Sequence, residues 1–189
     1  MPSNCCVFRT SRVTKKKGGL IRGIQEVPEL GNLVEQTEVD LDRIGQADVV
    51  IGVPSYNNSE TIAALVEAAR AGVSEYFPDS RTVIVHADGG SKDGTLDLAR
   101  EAAGQAPFLQ VSFRIFPVDK LSEDVLTMPG RASGLETIFG VTRTLGAKVC
   151  VVVSGGARGM QPQWLDMLAR PVVDSGFDFV IPYYRRHKF

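Results

Sequence analysis

The sequence predicts an α/β domain: a mostly parallel, doubly wound sheet with helices on both faces. Three observations carry that expectation. Short apolar runs without polar alternation recur at Asp48–Val53, Thr82–His86 and Val149–Val153, as in strands covered on both sides. Segments with apolar residues at helical spacing lie between them. Glycines and short polar side chains gather just after those runs, in Pro54–Asn58, Asp88–Thr95 and Ser154–Gly159.

Taken in order, residues 1–28 read as a flexible tail. Arg9, Arg12, Lys15, Lys16, Lys17 and Arg22 precede the first acid, Glu26, and apolar content is low. A basic arm for nucleic acid or a membrane surface is the other reading of that charge run. Residues 29–189 then form the domain. Leu30, Leu33, Val34, Thr37, Leu41 and Ile44 predict an amphipathic helix over Glu29–Gln46. The first strand, Asp48–Val53, stops at Pro54, and Asn58 or Ser59 is expected to cap a helix carrying Ile62, Leu65, Val66, Ala69 and Val73.

The strand Thr82–His86 runs into the turn Asp88–Thr95, dense in residues that tolerate positive φ. Thr95 or Asp93 would cap the helix holding Leu96, Ala99 and Ala103. Val111–Phe116 alternates and suits a sheet edge; Pro117–Met128 is an irregular loop. A helix with Leu135, Ile138, Phe139, Thr142 and Leu145 follows Pro129 and Gly130 and closes at Gly146. After the central strand Val149–Val153, Pro162 begins a helix expected to break near Pro171, and Phe177–Pro182 is a last strand.

Composition bounds the function. A chain of 189 residues with 43% hydrophobic and 23% charged residues is one ordinary globular domain. A net charge of -1 gives no global pull towards nucleic acid, and no apolar run is long enough to span a bilayer. Three cysteines form no disulfide framework, which fits a reduced, cytoplasmic protein.

In a parallel sheet the three loops, two of them glycine-rich, would meet at one end, where open α/β sheets bind ligands. Closely spaced glycines let backbone N–H groups approach an anion, so a phosphate-bearing nucleotide is the expected ligand. Neither G-x-x-x-x-G-K-[ST] nor G-x-G-x-x-G is present, which disfavours a P-loop or an NAD domain.

Three stretches together, Val49–Ile62, Val85–Thr95 and Pro129–Leu165, resemble the family 2-like nucleotide-sugar glycosyltransferases of the GT-A (Rossmann-like) fold. The subgroup resembled includes glucosyl-3-phosphoglycerate and mannosylglycerate synthases, and the ending DFVIPYYRRHKF is similar to a segment of it. The resemblance implies transfer of a sugar from a nucleotide-diphosphate donor to a small acceptor such as a glycerate derivative, with a divalent cation, Mg or Mn. It implies that Pro54, Ser55, Tyr56 and Asn57 surround the base and ribose, that Asp88, beside Gly90, binds base or ribose, and that Arg131 and Arg158 face the diphosphate. Arg131 stands where the family usually has Lys.

Two departures qualify it. Where the family carries Asp-x-Asp to hold the cation, this chain has Ser154-Gly155-Gly156, one hydroxyl and two glycines. The relatives also continue beyond the RRHKF-like segment into acceptor-binding residues. The alternative is therefore a degenerate, non-catalytic nucleotide-binding or partner protein of the same fold, and a homo-oligomer is an open possibility. Asp88 and Asp93 have a second reading as turn and cap residues, and Gly155, Gly156 and Gly159 as a tight strand-to-helix connection. His86, at a buried strand end, is expected to be structural, His187 a surface residue and Trp164 a packing residue.

Overall fold

The computed structural model describes residues 5–10, 35–112 and 131–182. The expectations for residues 1–4, 11–34, 113–130 and 183–189 lie outside them. Eleven elements follow in the described chain: β1 (Cys5–Arg9), α1 (Glu35–Ile44), β2 (Val49–Ser55), α2 (Ile62–Tyr76), β3 (Thr82–Asp88), α3 (Thr95–Ala103), β4 (Phe108–Ser112), α4 (Arg131–Thr144), β5 (Val149–Val153), α5 (Gln163–Asp174) and β6 (Phe179–Val180).

The six strands form one sheet in the order β4-β3-β2-β5-β1-β6. Neighbours among β4, β3, β2 and β5 pair in parallel, whereas β1 is antiparallel to both β5 and β6. Residues of alternating parity in each strand serve opposite faces. Val49, Ile51, Val53, Ile84, Val151 and Val153 pack with α2, α3 and α5. Val50, Val83, Val85, Leu109, Cys150 and Val152 pack with α1 and α4. Covering both faces explains why β2, β3 and β5 lack polar alternation. β4 is the edge predicted from its alternation, although it begins at Phe108.

The largest difference from the sequence reading is at the N-terminus. Cys5–Arg9, within the expected tail, are a strand between β5 and β6. Cys5 and Val7 enter one core while Cys6 and Phe8 pack against the other, so this short stretch does alternate between faces. Phe8 packs edge-on to Phe139 of α4, ring centroids 4.9 Å apart, and lies 4.8 Å from Phe179 of β6. Arg9 donates through Nη2 to the Val172 carbonyl in the last turn of α5, at 2.9 Å. Neighbouring basic residues hid a strand of only five residues.

Smaller differences have local causes. β2 continues through Pro54 to Ser55 because its ladder with β5 has already ended at Gly52, so the missing N–H removes no bond there. α5 runs through Pro171 to Asp174 although the proline removes the i→i−4 bond its N–H would have made to Met167. β6 contains two residues, fewer than the six expected. The N-cap of α2 is Thr61, not Asn58 or Ser59; its hydroxyl makes no cap bond and donates instead to the Gly155 carbonyl at 2.7 Å.

Candidate functional site

β2, β3 and β5 are parallel neighbours, so their C-terminal loops emerge at one end of the sheet. From β2 the chain proceeds through β3 to β4 on one side, while β5 lies on the other. The strand order therefore reverses between β2 and β5, the position where open sheets form a crevice.

The three loops are joined by hydrogen bonds. Between the β2 and β3 loops, the Asn57 N–H donates to Ser91 Oγ at 2.8 Å and the Lys92 N–H to Asn57 Oδ1 at 3.0 Å. The Asn58 N–H donates to Thr95 Oγ1 at 2.8 Å, and the Ser59 N–H to Asp93 Oδ2 at 3.0 Å. Between the β2 and β5 loops, the Gly155 N–H donates to the Pro54 carbonyl at 2.9 Å. Asn57 adopts φ 48°, a left-handed conformation that asparagine tolerates better than most residues.

Asp88, at the last position of β3, is fully buried. Its Oδ2 accepts the Gly90 and Ser91 N–H groups at 2.8 and 2.7 Å. Its Oδ1 accepts the Ser91 and Ser55 hydroxyls at 2.6 and 3.0 Å. The carboxylate therefore holds its own turn closed and ties it to β2, which is the turn-stabilising reading of this residue. Gly90 is needed where it stands, since its φ of 87° allows the turn to fold back onto Asp88. Asp93 works similarly at the start of α3, accepting the Thr95 N–H and hydroxyl on Oδ1 at 3.1 and 2.5 Å. Desolvation opposes its ionisation, but hydrogen bonds from Thr95 and Ser59 prevail and hold the carboxyl well below the usual range.

After β5, Gly155 is pressed against the β2 loop. A Cβ there would lie 2.8 Å from Ser55 Cβ, 2.9 Å from Asn58 Oδ1 and 3.1 Å from the Pro54 carbonyl oxygen. At Gly156 a Cβ would meet only Asn58 Nδ2, at 3.3 Å. Ser154 is half-buried and Gly156 exposed. The exposed Arg158 donates to Glu60 Oε2 at 2.7 Å. Arg131 opens α4, and its side chain lies outside the described residues.

Pro54, Ser55, Asn57, Asp88, Gly90 and Gly156 are thus assembled on loops in contact with one another. Tyr56, 41% exposed, rises from the same rim. No group of three His, Cys, Asp or Glu side chains among the described residues could hold a metal ion. Ser154-Gly155-Gly156 therefore do not fit a divalent cation, which needs several oxygen ligands with carboxylate charge.

Sequence reasoning named Ser55, His86 and Asp88 but missed Gln110 and the contacts that join the four behind this rim. The β2–β3 register sets Ser55 opposite Asp88, and the β3–β4 register sets His86 opposite Gln110. All four occupy one face of the sheet, continuing the row begun by Ile84. Period-2 alternation already puts His86 and Asp88 on the same side; only strand register reveals the partners.

No family model matches this chain, and no curated protein matches it. Among solved structures it is similar to glucosyl-3-phosphoglycerate synthase from Mycobacterium tuberculosis in complex with Mn2+, uridine diphosphate and glucosyl-3-phosphoglycerate, at 16% identity and a TM-score of 0.49. A second structure of the M. tuberculosis synthase gives 15% identity and a TM-score of 0.46. Both alignments cover 71% of this chain and 43% or 44% of the other. The chain spans less than half the length of these proteins.

Proposed function

We propose that the crevice at the C-terminal ends of β2, β3 and β5 binds a nucleotide-diphospho-sugar, and that the chain is a GT-A-type glycosyltransferase domain acting on a small acceptor such as a glycerate derivative. The observation that carries the reading is the joining of the three resemblance-bearing loops at the reversal of strand order. In this reading Tyr56 and the Pro54–Asn57 loop flank the base and ribose. The turn held by Asp88 forms the neighbouring wall. Direct contact between Asp88 and the nucleotide would require it to exchange one of its four present hydrogen bonds.

Arg131 and Arg158 would face the diphosphate. Arg158 would have to leave Glu60, and that cost is small: exposed ion pairs are worth about 0–1 kcal/mol, whereas a diphosphate offers the guanidinium bidentate, charge-assisted bonds.

The lack of carboxylates at Ser154 and Gly156 favours a second reading, nucleotide binding without sugar transfer. Calorimetry with UDP and GDP, with and without Mn2+, beside a donor-hydrolysis assay, separates the two. Binding with hydrolysis supports the transferase, whereas metal-independent binding without hydrolysis supports the second reading. Arg158→Ala should weaken binding roughly tenfold in either case, the worth of one charge-assisted hydrogen bond. Absence of binding by either nucleotide refutes both.

A further inference from the structure

Behind the rim, a polar row runs from the surface of α3 into the core and crosses three strands. Arg100 of α3 donates through Nη2 to Gln110 Oε1 at 2.7 Å. The other end of the Gln110 amide, Nε2, donates to the Leu96 carbonyl at 3.3 Å and faces His86 Nδ1 at 3.4 Å. His86 Nε2 lies 2.7 Å from Ser55 Oγ, which lies 3.0 Å from Asp88 Oδ1. His86 and Asp88 are fully buried, and Ser55 nearly so.

The direction of every proton in this row can be deduced. A guanidinium has donors only, so Gln110 must turn its oxygen towards Arg100. The Leu96 carbonyl accepts only, which demands the same orientation. Gln110 therefore presents an N–H to His86 Nδ1, which must be unprotonated. The imidazole proton then sits on Nε2 and is donated to Ser55 Oγ. Ser55 has one hydrogen, and with its oxygen already accepting, that hydrogen goes to Asp88.

We infer that His86 is a positioning residue, held as its Nε2–H tautomer by Gln110, whose amide Arg100 and the Leu96 carbonyl orient together, and that this one-way row aims the Ser55 hydroxyl at Asp88 and so fixes the turn at the crevice. A surface cation on α3 is thereby linked, through Gln110, His86 and Ser55, to the hydrogen bonding of the carboxylate that ends β3. An imidazolium cannot take this place without opposing the Gln110 N–H with a second donor. The charged groups acting on the row are Arg100 at one end and Asp88 at the other; the Phe108 ring, 6.0 Å from that of His86, is apolar. The inference deepens the proposed function by naming what holds its crevice in shape, and its importance for ligand binding rests on that reading.

The test uses the full chain without nucleotide. Long-range 1H–15N correlation of the histidine rings at neutral pH identifies the tautomer, with His86→Gln assigning the His86 signals. We expect a protonated Nε2 and an unprotonated Nδ1. Gln110→Glu supplies an acceptor where the amide donated and should move the proton to Nδ1, leaving the Ser55 hydroxyl drawn towards Nε2. Loss of one hydrogen bond to Asp88 should then speed amide exchange at Gly90 and Ser91 about fivefold. Arg100→Glu, an exposed change that leaves the core intact, should turn the Gln110 amide and raise the Nδ1–H population. An Nδ1–H or doubly protonated His86 in the unaltered chain overturns the inference. So does an unchanged tautomer in both variants. If the tautomers behave as expected but neither UDP nor GDP binds, the nucleotide reading fails and this inference stands.

Discussion

Gly155→Ala is the sharpest test of how the crevice floor is built. The added methyl would lie 2.8 Å from Ser55 Cβ and 2.9 Å from Asn58 Oδ1, closer than real side chains pack. It cannot escape by tilting the peptide, because the Gly155 N–H is bonded to the Pro54 carbonyl and its own carbonyl accepts the Thr61 hydroxyl. Overpacking of this kind costs about 2 kcal/mol. For a chain of this size that corresponds to a melting temperature lower by about 4–8 °C. Gly156→Ala is the internal control: its methyl would meet only the flexible end of Asn58 at 3.3 Å, so stability should change by less than about 0.5 kcal/mol. Urea unfolding followed by far-ultraviolet circular dichroism reads both variants. If the two are equally stable, the close apposition of the β2 and β5 loops is not what requires glycine at 155.

Two further outcomes are expected. Burial drives the His86 pKa down from 6.5 to about 4, with the Asp88 charge pulling partly back. The unfolded chain therefore takes up this proton first as pH falls. The stabilising contribution is complete above pH 6.5 and is lost on descent towards pH 4, approaching about 3 kcal/mol. Unfolding free energies across that window should slope in the unaltered chain and be flatter in His86→Gln, and equal slopes would contradict the burial argument. On the other face of the sheet, a methyl at Gly52 would come within 2.4 Å of Ile138 Cγ2, so Gly52→Ala should cost about 1–3 kcal/mol. Ile138→Ala opens that space, and the double variant should be less unstable than the sum of the singles; strict additivity would refute the contact.

The parallel core was legible because burial on both faces leaves a simple mark, unbroken apolar runs at Val49, Thr82 and Val149 followed by glycine and short polar residues. Those runs also located the rim, since topology alone brings the ends of parallel strands together. What the residues at the rim do to one another was not legible. Asp88 serves its own turn, and Gly155 is required by contact with residues about a hundred positions earlier, facts that depend on register and loop path. β1 was hidden for a different reason: five residues carry too little periodicity to outweigh the basic residues beside them, and the partner strand lies far along the chain.

That placement makes Cys5–Arg9 an internal member of the sheet, between β5 and β6. Their docking must wait for Val149–Val153, about 140 positions later, a closure of the non-local kind that slows assembly. Until it happens, the outer side of β5 is an open template for foreign strands and Phe179–Val180 have nothing to join. Trimming the first nine residues as dispensable would leave the sheet permanently in that sticky, half-zipped condition.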